Sequence, residues 1–432
     1  MHTQFSTFFS IISWKQRIVF WGGAIFVGIL IVAMTLLSEW AAETYRLLSQ
    51  QYFWFNFLVA PLGLSFTAWL TFRFFPGSER SGIPQVKTAL EITGNLEDRN
   101  RLISLRIAFG KMLLPIMGLL SGASVGFGGP AVHVGASFMA SLGKAVKFPS
   151  HYMEKGLILA GSAAGFAAMF SAPLAGIIFA IEEMGRALEE KISSLVLTAI
   201  VFSGVTAYAI LNNYIYFNDK SFIMPWGTNW FAIPICGIAG GFCGGVFSKI
   251  IIRGGRFLKK TGLPIVLIAF VSGGVIAILG YYSNGDSFGT GYAQTKVILT
   301  STTAMDPWFP LYKMLASCAT FFSGIPSGIF VPSIATGAGL GVDLAHWFPV
   351  APVSAMILLT MTAYFSGMLQ SPLTSFVIVM EMTGSHEILI PLMATAFFAT
   401  GTSKLINPTP LYRALCNAYT APKKPESSSN EA

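Results

Sequence analysis

The sequence predicts an all-α polytopic membrane protein, an inverted-repeat bundle of tilted and broken helices. Three observations predict it. First, 53% of its 432 residues are hydrophobic and only 11% are charged, against about 25% charged in soluble domains. Nineteen acids and 27 bases cannot supply the charged skin that two or three soluble domains of this total length need, so the apolar surface must face lipid. Second, apolar segments follow one another along the whole chain, and several are too short to cross ~30 Å of hydrocarbon. Third, Gly/Pro-bearing motifs recur in the same order in the two halves. The composition sets aside disordered, collagenous and nucleic-acid-binding classes. Forty-four glycines suit membrane helices packed at close range.

Taken in order, residues 5–14 are short, aromatic and followed by Lys15 and Arg17, which reads as an interfacial helix over residues 1–17 rather than a signal peptide. Residues 18–37 form an uninterrupted apolar span, and residues 53–75 another, flanked by Arg73. Unequal apolar segments then cover 83–93, 104–122, 129–146, 157–170 and 173–184. The second half shows the same texture at 193–211, 229–252, 263–282, 308–322, 329–347, 352–367, 372–382 and 387–405. A last short helix starts near Pro410, and residues 421–432 are polar and Ser/Pro-rich, which predicts a disordered tail. The organisation expected is therefore an interfacial helix (1–17), two membrane repeats (18–213 and 214–406), a final short helix (407–420) and a tail (421–432). Short, broken membrane helices end inside the protein, around a polar cavity or site.

Bases bunch at Lys15/Arg17, Arg73/Arg80/Lys87, Arg99/Arg101/Arg106 and Lys249/Arg253/Arg256/Lys259/Lys260. Basic loops stay cytoplasmic, so the expectation is a multi-pass protein of the inner (plasma) membrane with both termini in the cytoplasm. Cys236, Cys243, Cys318 and Cys416 lie in apolar segments without ligand-like spacing, and read as small hydrophobes with no disulfide framework and no metal site.

The repeat is visible in the sequence itself. Ala172-Pro173-Leu174 precedes an apolar run ending Glu183-Met184-Gly185, and Ser371-Pro372-Leu373 precedes one ending Glu381-Met382-Thr383. Gly128-Gly129-Pro130 leads to Gly135-Ala136, and Gly328-Ile329-Phe330-Val331-Pro332 leads to Gly337-Ala338 with the same Pro-to-Gly spacing. An odd number of spans per half places the halves in opposite orientations.

Chemistry collects where helices start. Ser81-Gly82-Ile83-Pro84, Gly126-Phe127-Gly128-Gly129-Pro130 and the Gly328–Pro332 segment each open a helix with small residues and a first-turn proline. A helix start exposes unpaired N–H groups and about half a positive charge. Three such ends meeting in mid-membrane would hold an anion without a full positive charge nearby, weakly enough to let it leave. This makes Ser81, Gly82, Ile83, Gly128, Gly129, Ile329 and Phe330 candidate anion-binding residues.

These motifs resemble those of the CLC family of chloride channels and chloride/proton exchangers. SGIP (81–84) is similar to the family's GSGIP, GFGGP (126–130) to GREGP or GKEGP, and GIFVP (328–332) to GIFxP. SAPLAGIIFAIEEM (171–184) resembles NAPLAGxxFxxEE, and SPLTSFVIVMEMTG (371–384) and PLYRAL (410–415) follow in family order. The resemblance covers residues 53–419. It implies a homodimer, paired through an apolar helix face, with a separate chloride pathway in each subunit and no cofactor. It also implies that the Ser81 hydroxyl and the Tyr412 phenol hold the central anion together with the N–H groups of Ile329 and Phe330. Gly128 then stands where the family has its gating glutamate, Glu183 at an internal glutamate that relays protons in exchangers, and Lys111 at a buried lysine that keeps the pathway positive. From the residues alone, Ser81 also reads as an N-cap, Tyr412 as an interfacial aromatic and Lys111 as a structural partner. His133 reads as a packed core residue or a proton carrier, and Glu381 as a structural cap or partner.

The departures bear on mechanism. Phe127 and Gly128 replace the basic residue and the glutamate of GREGP, and glycine can neither titrate nor block a path with a side chain. Arg80 replaces the first glycine of GSGIP and adds positive charge near the inner mouth, where it either attracts anions or plugs the route. The expected function is chloride (halide) transport, passive and not proton-coupled. The alternative is a chloride/proton antiporter using another protonatable group, and a distant third is an intramembrane hydrolase. The partners expected are a second copy of the chain and the lipid bilayer, not nucleic acid.

Overall fold

The computed structural model describes residues 11–52, 54–92, 96–146, 151–185, 193–211, 216–217, 224–301 and 305–420. Its first half contains helices α1 (Ile11–Gln51), α2 (Phe55–Phe74), α3 (Ile83–Glu91), α4 (Leu96–Leu102), α5 (Leu105–Leu119), α6 (Gly128–Val146), α7 (His151–Phe170), α8 (Pro173–Phe179) and α9 (Ser194–Ile210). The second half contains α10 (Ala232–Thr261), α11 (Ile265–Tyr282), α12 (Tyr292–Ser301), α13 (Phe309–Phe322), α14 (Phe330–Trp347), α15 (Val353–Leu369), α16 (Pro372–Thr383), α17 (Leu389–Ile406) and α18 (Leu411–Thr420). Among the described residues six helices are long and apolar enough to cross a membrane. Several of the others, such as α3 and α8, are much shorter. Outward faces carry large apolar side chains such as Phe66, Trp69, Phe242 and Phe270, as a lipid-facing surface requires.

Small residues set the packing. α6 crosses α7 so closely that a Cβ at Gly135 would lie 2.1 Å from the Gly161 carbonyl oxygen, and one at Gly161 2.2 Å from that of Gly135. In the second half α10 packs in the same way on α15 and α17. The expected interfacial segment is not a separate helix where it is described: residues 11–17 run straight into the first span, as one helix to Gln51. Residues 1–10 and the expected tail, 421–432, lie outside the described residues.

Three reciprocal contacts join the halves and relate them as inverted copies. Gly126 and Gly328 exchange both backbone hydrogen bonds, at 2.8 and 2.7 Å, just ahead of α6 and α14. The Glu182 carboxylate, from the π-turn Ala180–Met184 that ends α8, accepts the N–H groups of Leu373 and Thr374 at the start of α16 (3.1 and 2.6 Å). Glu381, at the end of α16, accepts those of Leu174 and Ala175 at the start of α8 (3.0 and 2.6 Å). Each half thus caps a broken helix of the other with a carboxylate where the helix dipole is positive, and Glu381 is the structural cap that its position suggests.

A fourth correspondence was not read from the sequence. Lys111 on α5 donates to the carbonyls of Ser78, Glu79 and Arg80 (2.8, 3.2 and 3.0 Å). Lys313 on α13 donates to those of Ser287, Phe288 and Gly289 (3.0, 3.0 and 2.9 Å). Each loop then reaches a glycine with positive φ, Gly82 at +94° or Gly291 at +86°, and opens a short helix, α3 or α12. A Cβ at either glycine would meet its lysine, 3.0 Å from Lys111 Cε or 2.9 Å from Lys313 Cε. Segment 290–299 (TGYAQTKVIL) therefore repeats segment 81–90 (SGIPQVKTAL).

Both lysine side chains are fully buried. Lys313→Met leaves three loop carbonyls without their donor, at about 1–3 kcal/mol for a buried acceptor. The expected outcome is a melting temperature in detergent several degrees below that of the unaltered protein. An unchanged melting temperature would remove the lysine collar from the account of stability.

Candidate anion site

The site is built from four chain segments that meet at the pseudo-two-fold axis. Ser81 ends the loop that Lys111 holds, and Gly82 and Ile83 turn the chain into α3. Its backbone is confined from two sides. A Cβ at Gly82 would lie 2.8 Å from His133 Cβ, and one at Gly129 would lie 2.1 Å from Ser81 Oγ. The Gly128-Gly129 start of α6 is therefore pressed directly onto Ser81. The Phe330 start of α14 arrives from the other half through the Gly126–Gly328 bridge. The start of α18 brings Tyr412, whose ring centroid lies 5.9 Å from that of Phe330.

Ser81 and Tyr412 are 1% exposed, and their hydroxyl oxygens have no hydrogen-bond partner. They lie close enough to interact, in a geometry that makes no hydrogen bond between them. Buried hydroxyls are ordinarily satisfied, so two unpartnered ones side by side have a ligand's worth of donors to give. Ser81 is not an N-cap: Gly82 holds the N-cap position of α3, which has no side-chain cap, and this sets aside the capping reading of Ser81. The first-turn N–H groups of α6 and α14 have no intrahelical acceptor. The sequence-predicted residues Ser81, Gly82, Ile83, Gly128, Gly129, Ile329, Phe330 and Tyr412 are thus gathered at one place, although they span most of the chain.

The space beside Gly128 is not open. A Cβ there would come within 3.0 Å of Phe330 Cδ2 and 3.3 Å of Phe170 Cζ. Phe330 also meets Phe166 and Phe365 edge to face, at 5.8 and 5.0 Å, and Phe166 meets Phe170 at 5.1 Å. Glycine at 128 supplies no side chain, and the Phe330 and Phe170 rings press on the place of a Cβ, so that a side chain there needs them to shift by a few tenths of an ångström.

On the other side, Glu183 is buried with both oxygens engaged. Lys87 Nζ lies 2.6 Å from Oε1, and the Ser371 hydroxyl donates to Oε2 at 2.7 Å. Lys87 belongs to α3, the helix that Ser81 and Gly82 open, so the ion pair ties the candidate site to the end of α8, and the Ser371 hydroxyl extends the link to the second half. Sequence reasoning placed Glu183 but missed Lys87, although a lysine inside an apolar run is itself a signal. It missed Lys313 in the same way. His133 is fully buried, with Nε2 at 2.9 Å from the Leu102 carbonyl oxygen and Nδ1 at 3.2 Å from Ser137 Oγ. Both ring nitrogens are occupied, which fits the packed-core reading.

Arg80, held with positive φ, places its guanidinium 5.4 Å from the Phe321 ring centroid. It lines a cavity of about 510 Å³ together with Arg256, Lys259 and Tyr419. A narrower space of about 10 Å³, shared by Arg80 and Tyr419, leads from there to Ser81. At the far end of α11 a second cavity, of about 220 Å³, is lined by Glu39, Glu43 and Arg46.

Broken helices from two inverted halves that aim their N-termini at one buried polar point define a membrane transport protein of the broken-helix kind. The chain belongs to the voltage-gated chloride channel family, whose model matches residues 63–404. It is similar to the H(+)/Cl(-) exchange transporter ClcA of Yersinia pestis bv. Antiqua (29% identity over 415 residues, covering 90% of this chain and 84% of that protein). It is similar also to ClcA of Yersinia pseudotuberculosis serotype IB (30% over 379 residues, 83% and 77%). In fold it matches a slow cyanobacterial Cl-/H+ antiporter (TM-score 0.79, 22% identity, covering 94% of this chain and 97% of that one). A CLC-type fluoride/proton antiporter matches at a TM-score of 0.74 and 20% identity, covering 94% and 98%.

Gly129→Ala tests the convergence of these segments. The added methyl has no room against Ser81 and would push it out of register with Tyr412. The expected outcome is correctly inserted protein with anion flux in proteoliposomes reduced at least tenfold. Flux at the unaltered level would separate Ser81 from the pathway.

Proposed function

We propose that this chain transports chloride across the plasma membrane passively, without moving protons. The family supplies the ion, and the pair of unpartnered hydroxyls of Ser81 and Tyr412 beside two helix N-termini is the observation that carries the site. Neutral donors and partial charges suit a monovalent anion that must bind and leave. Lys111 contributes at a distance, since its ammonium is taken up by three carbonyls of the loop before Ser81.

The relatives named above are exchangers, so the absence of coupling rests on this chain's own residues. Exchange needs a group that takes a proton in one state and yields its place to chloride in another. Residue 128 has no side chain, and phenyl rings fill the adjoining volume. Both oxygens of Glu183 are engaged, one by Lys87 and one by Ser371. His133, the substitute carrier an antiporter would need, has both nitrogens engaged. The hydrolase reading would need an accessible nucleophile, and the Ser137–His133 contact is completely buried.

Sidedness follows from charge. Arg80, Arg256 and Lys259 gather at one mouth, at the Ile265 end of α11, while Glu39 and Glu43 line the cavity at its Tyr282 end. By the positive-inside rule the basic mouth and both termini face the cytoplasm. A homodimer is supported by one continuous apolar face. Helices α9, α8, α16 and α17 pack in series and expose Val205, Tyr208, Leu174, Ile181, Leu373, Ile390 and Phe397. A separate pathway in each subunit predicts that mixing unaltered with Gly129→Ala subunits lowers flux in proportion to the unaltered fraction. A fall as the square of that fraction would indicate a shared pathway.

The deciding measurement is reversal potential under opposed chloride and proton gradients. It should sit at the chloride equilibrium potential, and displacement toward the proton value would overturn passive transport. Gly128→Glu should make flux pH-dependent, by setting a carboxylate among the anion's donors. Proton movement should appear only when Lys87→Met is added, because that substitution removes the donor and the charge from Glu183 Oε1.

A further inference from the structure

The basic cavity at the cytoplasmic mouth has features that passage of chloride does not require. At about 510 Å³ it lies in the range of small-molecule binding sites, whereas the space that follows it toward Ser81 is about 10 Å³, room for about one water. Its three cations come from two elements. Arg80 stands in the loop before α3, and Arg256 and Lys259 sit one turn apart on α10. They face a single carboxylate, Glu79, and the remaining lining includes the neutral polar side chains Asn407, Thr409 and Tyr419. A chloride ion touches one such cation at a time. A ligand with several anionic oxygens bridges them, and guanidinium groups pair with phosphate oxygens two at a time.

Arg80 is also held in place before any ligand arrives. Its N–H donates to the Ile325 carbonyl (3.2 Å), its carbonyl accepts from Ser327 N (3.3 Å), and its guanidinium rests over Phe321. Fixing a binding group in advance removes part of the ordering cost of binding. Arg80, Tyr419 and Leu415 line both the cavity and the narrow space, and Phe321 lines the latter. A ligand on Arg80 therefore lies across the entrance to Ser81 and is too large to pass.

We propose that the Arg80–Arg256–Lys259 cavity binds a phosphate-bearing polyanion, which plugs the route to Ser81 from the cytoplasmic side. The plugging step rests on the chloride-transport reading, whereas the binding step stands apart from it. Binding at the mouth is competitive with chloride entry and reversible, so the site sets flux by the concentration of phosphate ligand on that side. The phosphate belongs either to a soluble molecule or to the headgroup of a membrane lipid reaching in from the rim.

The test measures chloride efflux from proteoliposomes with inorganic pyrophosphate added to the cytoplasmic face, with sulfate as a compact divalent control. In a second arm, vesicles carry a few percent phosphatidylinositol phosphate and no free phosphate. Calorimetric titration of purified protein with pyrophosphate reads binding independently of flux. The expected result is pyrophosphate binding, block of efflux at concentrations where sulfate leaves it unchanged, and at least tenfold weaker block and binding in Arg256→Gln/Lys259→Gln. Block in the lipid arm alone assigns the phosphate to a headgroup, and block by pyrophosphate assigns it to a soluble ligand. Full efflux at millimolar pyrophosphate and in phosphoinositide vesicles overturns the proposal. So does equal block by sulfate, or block and binding unaffected by the double substitution. Absence of chloride flux without any phosphate would instead overturn the chloride reading, and titration would still decide the site.

Discussion

Backbone that leaves the helix inside a membrane must find hydrogen-bond partners within the protein, because lipid has none to give. Here two lysines meet that requirement. Lys111 and Lys313 each spend all three ammonium protons on three consecutive loop carbonyls, and each loop then turns through a left-handed glycine into a short helix. Lys111 thereby holds the non-helical loop that carries Ser81, together with the Arg80 backbone bonds to Ile325 and Ser327. The same arrangement brings a full positive charge within a few bonds of the candidate anion site while leaving none in contact with it.

The other broken ends obey the same constraint by other means. Glu182 and Glu381 exchange caps across the halves, and the Gly126–Gly328 pair closes the loops ahead of α6 and α14. These contacts leave a small set of donors unspent: two hydroxyls and the first turns of two helices. An ion that binds there is held by partial charges alone. The surroundings of that point differ on its two sides. Toward Gly128 the packing is aromatic, from Phe166, Phe170 and Phe330, and on the other side Glu183 is paired with Lys87. The proposed passive transport rests on both sides together, since either a free carboxylate near residue 128 or an unpaired Glu183 alone would give only half of a proton route.

Much of this was legible in the chain. Most apolar segments match the observed helices within a few residues, because lipid demands long apolar runs and Gly/Pro pairs mark their breaks; α1 and α10 run on well past the segments read for them, into polar residues up to Gln51 and Thr261. The two helices not anticipated, α4 and α12, are short and carry polar residues, so hydropathy does not raise them above the loops. The repeat of segment 81–90 in segment 290–299 escaped for the same reason: only the glycine, the glutamine, one lysine and one leucine are shared, and it is the matching lysine collars that reveal it. Lys87 looked like one more basic residue of a cytoplasmic cluster, because nothing local shows that it faces a glutamate almost a hundred residues away.

The sequence by itself determined that the chain lives in lipid, where its helices break, and that residue 128 has no carboxylate, since these depend on composition and residue type alone. Only the tertiary structure decided that Ser81 and Tyr412 stand together unpartnered, that phenyl rings from Phe170 and Phe330 fill the space beside Gly128, and that Lys87 holds Glu183. Those facts arise from side chains brought together by the pseudo-two-fold packing of two halves. No periodicity or spacing within one segment encodes which residue of the other half will lie against it.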